Sequence, residues 1–265
     1  MSDRPEGDVP RPQPGRRLAG RTALVTGGTS GIGRAVAVAL AAEGARVAIH
    51  GRSAAAAAET TALLGAGGEP AGTFLVDLAD PAGADRLAGE ALSTLPDLDT
   101  VVLVAGVDVL TGPAAKWSFE EKLAALLAVD VSATMTLARR LGRGLRERGA
   151  GSIVTIGWDQ AATGMEGDSG ELFAATKGAV MAFTRSLAKS LAPAVRVNCV
   201  APGWIRTAWG RGASEAWQRR AIRESMLGRW GTPEDIAGAV AWLVSPDAEF
   251  ITGQVIPVNG GFRPA

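Results

Sequence analysis

From Arg21 onward, short uninterrupted apolar runs alternate with longer stretches whose apolar residues recur at helical spacing. The runs TALVTG (22–27), RVAIHG (46–51), GTFLVDL (72–78), LDTVVLVAG (98–106), GSIVTIG (151–157), VRVNCVAPG (195–203) and GQVIPVNGG (253–261) predict strands. Between them, GRAVAVALAAEGA (33–45), SAAAAAETTALLGAGG (53–68), DPAGADRLAGEAL (80–92), FEEKLAALLAVDVSATMTLARRLGRGL (119–145), a stretch around 171–191 and one from Pro233 predict helices. Ser53 is placed to cap the second helix, Asp80 with Pro81 to open the third, and Asp168 or Ser169 to cap the one around 171–191. Strands that are apolar on both faces and joined by helices belong to a parallel sheet covered on both sides. The pattern predicts an α/β fold, a doubly wound parallel sheet whose ligands sit beyond the carboxyl ends of the strands. Nothing interrupts the alternation, so a single domain is expected over 18–265. Residues 1–17, rich in proline and charge, predict a disordered tail.

At 265 residues and 47% apolar content, the chain can bury a substantial core. Lysine plus arginine equals aspartate plus glutamate at 27 each. That balance gives no electrostatic grip on nucleic acid or an anionic membrane, and neither is expected as a partner. The single cysteine, Cys199, excludes an internal disulfide and a cysteine zinc site, and the single histidine, His50, excludes a histidine metal cluster. No metal is expected. With no apolar leader and no long uncharged apolar run, the chain reads as cytoplasmic.

TGGTSGIG, Thr26 to Gly33, follows the first strand and opens the first helix. Gly27, Gly31 and Gly33 let the backbone turn tightly and approach a pyrophosphate at the helix N-terminus, with Thr29, Ser30 and Ile32 completing the turn. Such a turn can also be a bare strand-to-helix connection; its placement favours a nucleotide. After the second strand, where an NAD-preferring site of this fold offers a carboxylate to the ribose, the sequence reads HGRS, with no acid before Glu59. Arg52 suits a 2′-phosphate; the alternative is a solvated surface arginine. NADP(H) is therefore the expected cofactor and NAD(H) the alternative. His50 reads as a strand residue rather than a ligand.

These motifs, together with GRWGTPEDIAGAVAWLVSPDAEFITGQVIPVNGG (228–261), resemble the classical short-chain dehydrogenase/reductase family over residues 18–262. Within it, the chain is most similar to the 3-oxoacyl-acyl-carrier-protein reductase group. The resemblance implies a Rossmann-type sheet, an adenine contact at Asp77 and Leu78, and a nicotinamide carboxamide placed by Pro202, Gly203, Ile205 and Thr207. It also implies a homotetramer, or a homodimer. The family's NNAG reads Leu103, Val104, Ala105, Gly106 here. Ala105 and Gly106 keep the small pair beside the cofactor, and both amides are gone. That is either an apolar repacking, neutral when both partners of a hydrogen bond are replaced, or a weakened cofactor edge.

The family works with asparagine, serine, tyrosine and lysine. By position the asparagine is Asp130, the serine Trp158 and the tyrosine Phe173; Lys177, which in the family also holds the nicotinamide ribose, is retained. Phe173 and Lys177, four residues apart, stack on one helix face. Phenylalanine has no exchangeable proton, an indole N–H donates without exchanging, and the chain contains no tyrosine. Ser152 stands too early to replace the serine, and Ser169 is the nearby substitute. The loop WDQAATGMEGDSGELF (158–173) carries Asp159, Glu166, Asp168 and Glu171. Asp159 or Glu171 beside Lys177 is a candidate new acid or base, since a carboxyl packed on Trp158 would have a raised pKa. The alternative is a solvated acidic loop. Asp130 can pair with Lys177, as chemistry or as a structural ion pair.

Residues 204–230 stand where the family keeps its substrate lid. Trp204, Trp209, Trp217 and Trp230 lie there among arginines 206, 211, 219, 220, 223 and 229. This suits a small-molecule substrate that is aromatic or anionic, or else it is a lid helix with its tryptophans turned to the core or an oligomer interface. Three functions are consistent with the sequence. One is an NADP(H)-binding oxidoreductase with atypical chemistry. Another is a non-redox lyase, isomerase or cyclase using loop carboxylates with Lys177. The third is a catalytically silent dinucleotide-binding protein.

Overall fold

The computed structural model describes residues 16–65 and 70–263 and, at Trp209, the backbone alone. Most of the tail expected at 1–17, and Ala66, Gly67 and Gly68 of the second expected helix, lie outside the described residues. So does the side chain of Trp209.

Seven strands form one parallel sheet: β1 (Thr22–Thr26), β2 (Arg46–Gly51), β3 (Gly72–Leu75), β4 (Leu98–Leu103), β5 (Gly151–Ile156), β6 (Val195–Pro202) and β7 (Val255–Val258). Their order is β3-β2-β1-β4-β5-β6-β7, so the chain reverses direction of travel between β1 and β4. This is the doubly wound, Rossmann-type arrangement, and ligands of such sheets sit at that reversal. Successive strand residues point to opposite faces. Leu24, Val101 and Ile153 accordingly enter one core, and Val25, Val102 and Val154 the other. That two-sided burial is why the strand sequences read as unbroken apolar runs.

Helices α1 (Gly31–Ala42), α2 (Ala54–Leu64) and α9 (Pro233–Val244) cover one face, with Val36, Leu40, Ile236 and Val240 buried against the sheet. Helices α3 (Gly83–Thr94), α5 (Thr134–Glu147) and α6 (Asp168–Leu191) cover the other, burying Leu87, Leu137, Leu141 and Leu187. Truncating one such leucine to alanine costs about 2–5 kcal/mol. The shorter helices α4 (Phe119–Leu126), α7 (Ala208–Gly212) and α8 (Glu215–Glu224) lie at the end of the sheet where the strands terminate. Capping boxes start two elements: Ser118 with Glu121 at α4, and Thr232 with Asp235 at α9, where Pro233 follows the cap. Among the described residues no helix is long and apolar enough to cross a membrane. No group of three or more His, Cys, Asp and Glu side chains there could hold a metal ion.

Four expectations need correction. The single helix over 119–145 is α4, then a π-helical stretch at Leu127–Ala133, then α5. The wide turn centres on Asp130, which is held by two groups from other elements, as described below. Asp80 does not cap α3: its carboxylate closes the preceding turn on the amide of Ala82, and the helix starts at Gly83 with Ala82 at the cap. Neither Asp168 nor Ser169 caps α6. Gly167 does, at φ 85°, where a side chain would be strained. The third strand stops at Leu75, before Asp77 and Leu78.

Candidate functional site

The glycine turn joins β1 to α1 at the sheet's reversal point. A Cβ on Gly27 would stand 2.9 Å from the Cα of Ala105, and one on Gly33 would overlap the carbonyl oxygen of Gly27. The turn can therefore lie flat on the end of β4 only with glycine at both places. The nearest atom to a Cβ on Gly31 is the methyl of Thr207, at 3.8 Å, so the threonine of the PGxxxT motif reaches the same turn. Ser30 occupies the cap of α1 without a side-chain hydrogen bond to the helix, and the first turn holds no acid. The amides at this N-terminus are thus left for an anion, and the residues present fit a dinucleotide pyrophosphate.

Around the turn, Thr26 Oγ1 accepts the amides of Val104 (3.0 Å) and Ala105 (3.2 Å). Leu103 and Val104, at the positions of the missing asparagines, enter the two opposite cores. His50 is buried between the turn and β3. Its Nε2 bonds the carbonyl of Val76 at 2.9 Å and its Nδ1 accepts the amide of Gly27 at 3.4 Å. Burial holds its pKa below the ordinary value, so the neutral ring serves as a strut. Arg52 lies exposed just past β2 and has no ion pair or hydrogen bond among the described residues. Glu59, the first acid after it, is paired with Arg34 at 3.0 Å. Asp77 is exposed, with one carboxylate oxygen on the amide of Ala79, and Leu78 is buried. Pro202 ends β6; the amide of Gly203 donates to Val258; and Ile205 bridges to Gly231.

Asp130, Trp158, Phe173 and Lys177, the positions expected from the resemblance, lie beyond β4 and β5. Lys177 Nζ lies 2.8 Å from Asp130 Oδ1, with the two side chains 13% and 1% exposed. The other oxygen of Asp130 accepts the amide of Val107 at 2.9 Å. A Cβ on Gly106 would sit 2.8 Å from Oδ1, so only glycine lets the carboxylate approach here. Phe173 stands one turn from Lys177 on α6, its ring 6.3 Å from that of Trp158 at 64°, an edge-to-face pair. Phe173 also leans on the apolar cluster of Val109, Leu126 and Leu172.

Asp159 belongs to this end of the molecule by an unexpected route. Its Oδ2 accepts the side-chain amide of Asn259 at 3.0 Å and lies 3.2 Å from where a Cβ on Gly203 would be. Burial pushes its carboxyl up to about 6, partly offset by the Asn259 bond, and Glu224 nearby adds to the rise. Glu171 does not join the cluster. It is exposed and lies about 120° around the helix from Lys177 and about 160° from Phe173 at 100° per residue. Glu166 and Asp168 are also exposed, and Ser152 sits at the start of β5, the far end from the site.

In the segment expected to be a substrate lid, Arg220 ties α8 to the loop before α6. Its guanidinium donates to Glu224 and to Glu166, each at 2.7 Å, and lies 4.9 Å from the ring centre of Trp217. Trp204 donates its indole N–H to the buried Glu224 at 2.8 Å and packs against Trp217 and Trp230. These three tryptophans thus fill the lid itself. An open cavity of about 450 Å³ borders Arg206, Trp230, Thr232 and Asp235, apart from Lys177 and Trp158. Sequence reasoning missed Asn259 and Glu224. The first lay in the quoted C-terminal block, but nothing local marks its contact with Asp159.

The sequence profile of the enoyl-(acyl carrier protein) reductase family matches residues 27–263. The 3-oxoacyl-acyl-carrier-protein reductase FabG of Escherichia coli (strain K12) is 32% identical over 248 residues, covering 91% of this chain and 97% of that protein. The crystal structure of a short chain dehydrogenase from Burkholderia cenocepacia J2315 in complex with NADP is similar at a TM-score of 0.82 and 32% identity, over 92% of this chain and 98% of that one. A 3-oxoacyl-acyl-carrier-protein reductase from Agrobacterium tumefaciens C58 with NADP bound gives 0.83 and 30%, over 92% and 95%.

Proposed function

The chain belongs to the short-chain dehydrogenase/reductase family, near the 3-oxoacyl-acyl-carrier-protein reductase group, and from that premise we propose that it is an NADP(H)-dependent oxidoreductase with a remade acid–base site. NADP in the two structural relatives, the fitted glycine turn and the unpaired Arg52 support the cofactor. Gly27, Gly31, Gly33 and Ser30 would hold the pyrophosphate side, Arg52 the 2′-phosphate, Asp77 and Leu78 the adenine, and Pro202, Gly203, Ile205 and Thr207 the carboxamide. When bound, the cofactor supplies a hydride.

The observation that carries the altered chemistry is the Trp158–Phe173 ring pair standing where the family places serine and tyrosine. Neither ring can take up or give a proton to a reacting oxygen. General acid–base assistance is worth roughly 10²–10⁴-fold, so ordinary 3-oxoacyl reduction is expected to be slow. Asp159, held near Gly203 by Asn259, is the carboxyl best placed to exchange a proton instead. Cytoplasmic location and a homotetramer, or homodimer, belong to the same reading and rest on the family resemblance.

NADPH oxidation with an acetoacetyl thioester tests it. Turnover far below the enzyme median of ~10 s⁻¹ is expected, and turnover near that value would overturn the altered-site reading. Trp158→Ser with Phe173→Tyr should restore ketone reduction more jointly than either alone, because catalytic units are not additive. The ion pair of Lys177 with Asp130 favours a second reading, a dinucleotide-binding protein without turnover. Tight NADPH binding with no acceptor reduced would establish that one.

A further inference from the structure

The cavity beside Arg206 is lined by none of the residues expected at the cofactor or the acid–base site. Its wall carries three charged side chains, Arg206, Arg229 and Asp235. Two of them neutralise one another. Arg229 donates to both oxygens of Asp235, at 2.7 and 2.9 Å, and the amide of Thr232 donates to the same carboxylate at 2.7 Å. Arg229 first, with the Thr232 amide, pulls the Asp235 carboxyl down to about 2, so it is ionised and fully engaged at neutral pH. Arg206 is exposed and takes part in no ion pair among the described residues. Its guanidinium lies 6.0 Å from the ring centre of Trp230, which offers no counter-charge. The backbone that presents it is fixed: the Arg206 amide donates to Gly231 at 2.9 Å, and the Gly231 amide donates to Trp204 at 2.9 Å. Ile222 of α8, 45% exposed, gives the cavity an apolar wall. A volume of about 450 Å³ is in the range of small-molecule sites.

We propose that this cavity is a second ligand site, for a small apolar monocarboxylate, whose carboxylate meets the Arg206 guanidinium and whose apolar body packs on Ile222 beside Trp230. One uncompensated positive charge matches one negative charge. A cationic ligand would meet Arg206 with no carboxylate free to receive it. A phosphate monoester would bring a second negative charge with nothing to balance it. A neutral ligand would cover the guanidinium and leave it unpaired. The fork of N–H groups on arginine fits both oxygens of a carboxylate. The site needs no hydride chemistry and stands apart from the oxidoreductase reading.

Calorimetric titration of the full chain without cofactor tests it, using 4-phenylbutyrate, 4-phenylbutan-1-ol and 4-phenylbutylammonium. The three probes share one apolar body and differ in charge. The carboxylate should bind at least about tenfold tighter than the alcohol, the worth of one charge-assisted hydrogen bond, and tighter still than the ammonium. Arg206→Met keeps a stem beside Trp230 and removes the charge. It should weaken the carboxylate to the level of the alcohol and leave the alcohol unchanged. Ile222→Ser should weaken carboxylate and alcohol alike, by about fivefold for part of one buried apolar side chain, which covers the case of an unfolded Arg206 variant. Arg211→Met and Arg223→Met remove exposed charges of the same segment that do not line the cavity, and should change nothing. No preference for the carboxylate, binding that survives Arg206→Met, or equal losses in the Arg211 and Arg223 variants would each overturn the proposal. NADPH titrated into the same samples keeps the two readings separate: its failure to bind overturns the oxidoreductase reading and leaves this site standing.

Discussion

Replacing Asp130 separates the two roles of its ion pair. The carboxylate is 1% exposed, 2.8 Å from Lys177 Nζ, and also accepts the amide of Val107. Asparagine keeps an acceptor for Val107 and removes the charge; alanine removes both. Breaking a buried pair while its partner stays costs about 3–5 kcal/mol, and a hydrogen bond to a charged group is worth about 1.5–3 kcal/mol. We therefore expect Asp130→Asn to lose about 3 kcal/mol and Asp130→Ala about 5 kcal/mol. For a chain of this size the asparagine variant should melt roughly 10 °C lower. Urea unfolding should show the same loss as a shifted midpoint at unchanged slope. In a Lys177→Met background the sign reverses: Asp130→Asn then removes an unpaired buried carboxylate and stabilises. The same variant frees Lys177 for the nicotinamide ribose, so NADPH should bind about tenfold tighter as the fold weakens. A stability loss below about 1 kcal/mol, the size of a surface pair, would refute the buried-pair argument, as would equal losses in both backgrounds. Unchanged NADPH affinity would refute the idea that Asp130 diverts the lysine.

Three further outcomes are expected. Arg52→Ala should weaken NADPH roughly tenfold or more, the worth of a charge-assisted phosphate contact, and leave NADH unchanged; calorimetric titration with both cofactors checks it. Asp159 keeps its proton longer when folded, with its pKa at about 6 against ~3.9 for a free aspartate. The cost of ionising it is therefore absent near pH 4 and complete above pH 6, so Asp159→Asn should match the parent at pH 4 and exceed it by about 2 kcal/mol at pH 8 in urea unfolding. Gln160 is 2% exposed and its side-chain nitrogen has no partner among the described residues, so Gln160→Met should stabilise by about 1 kcal/mol in the same assay.

The sheet was legible because its signals are local. Two-sided burial makes each strand an apolar run, and Gly27 and Gly33 are demanded by contacts within one strand–turn–helix unit and the end of β4. The Trp158–Phe173 pair and the Lys177–Asp130 pair were singled out only by position within the family; their contacts with one another are features of the folded chain. The π-helical turn at Leu127–Ala133 was not legible, because apolar spacing does not distinguish one extra residue per turn. What widens that turn comes from outside it: Val107 after β4 and Lys177 on α6 hold Asp130 between them. Glu171 was excluded only once α6 was seen to begin at Asp168, which fixes its direction on the helix. Asn259 and Glu224 reach Asp159 across long sequence separations that no window of the chain contains.

Under the proposed reading, Asp130 and Phe173 are one change in two places. A lysine only 13% exposed is costly without a counter-charge. In the family, as the resemblance gives it, a tyrosine stands one turn away and can share the proton. With phenylalanine there, that partner is gone and the lysine needs a carboxylate. Asp130 supplies it, anchored by the Val107 amide and admitted by the missing side chain at Gly106. The arrangement that settles the lysine also removes it from proton traffic, and the pair as a whole carries no net charge toward the pocket.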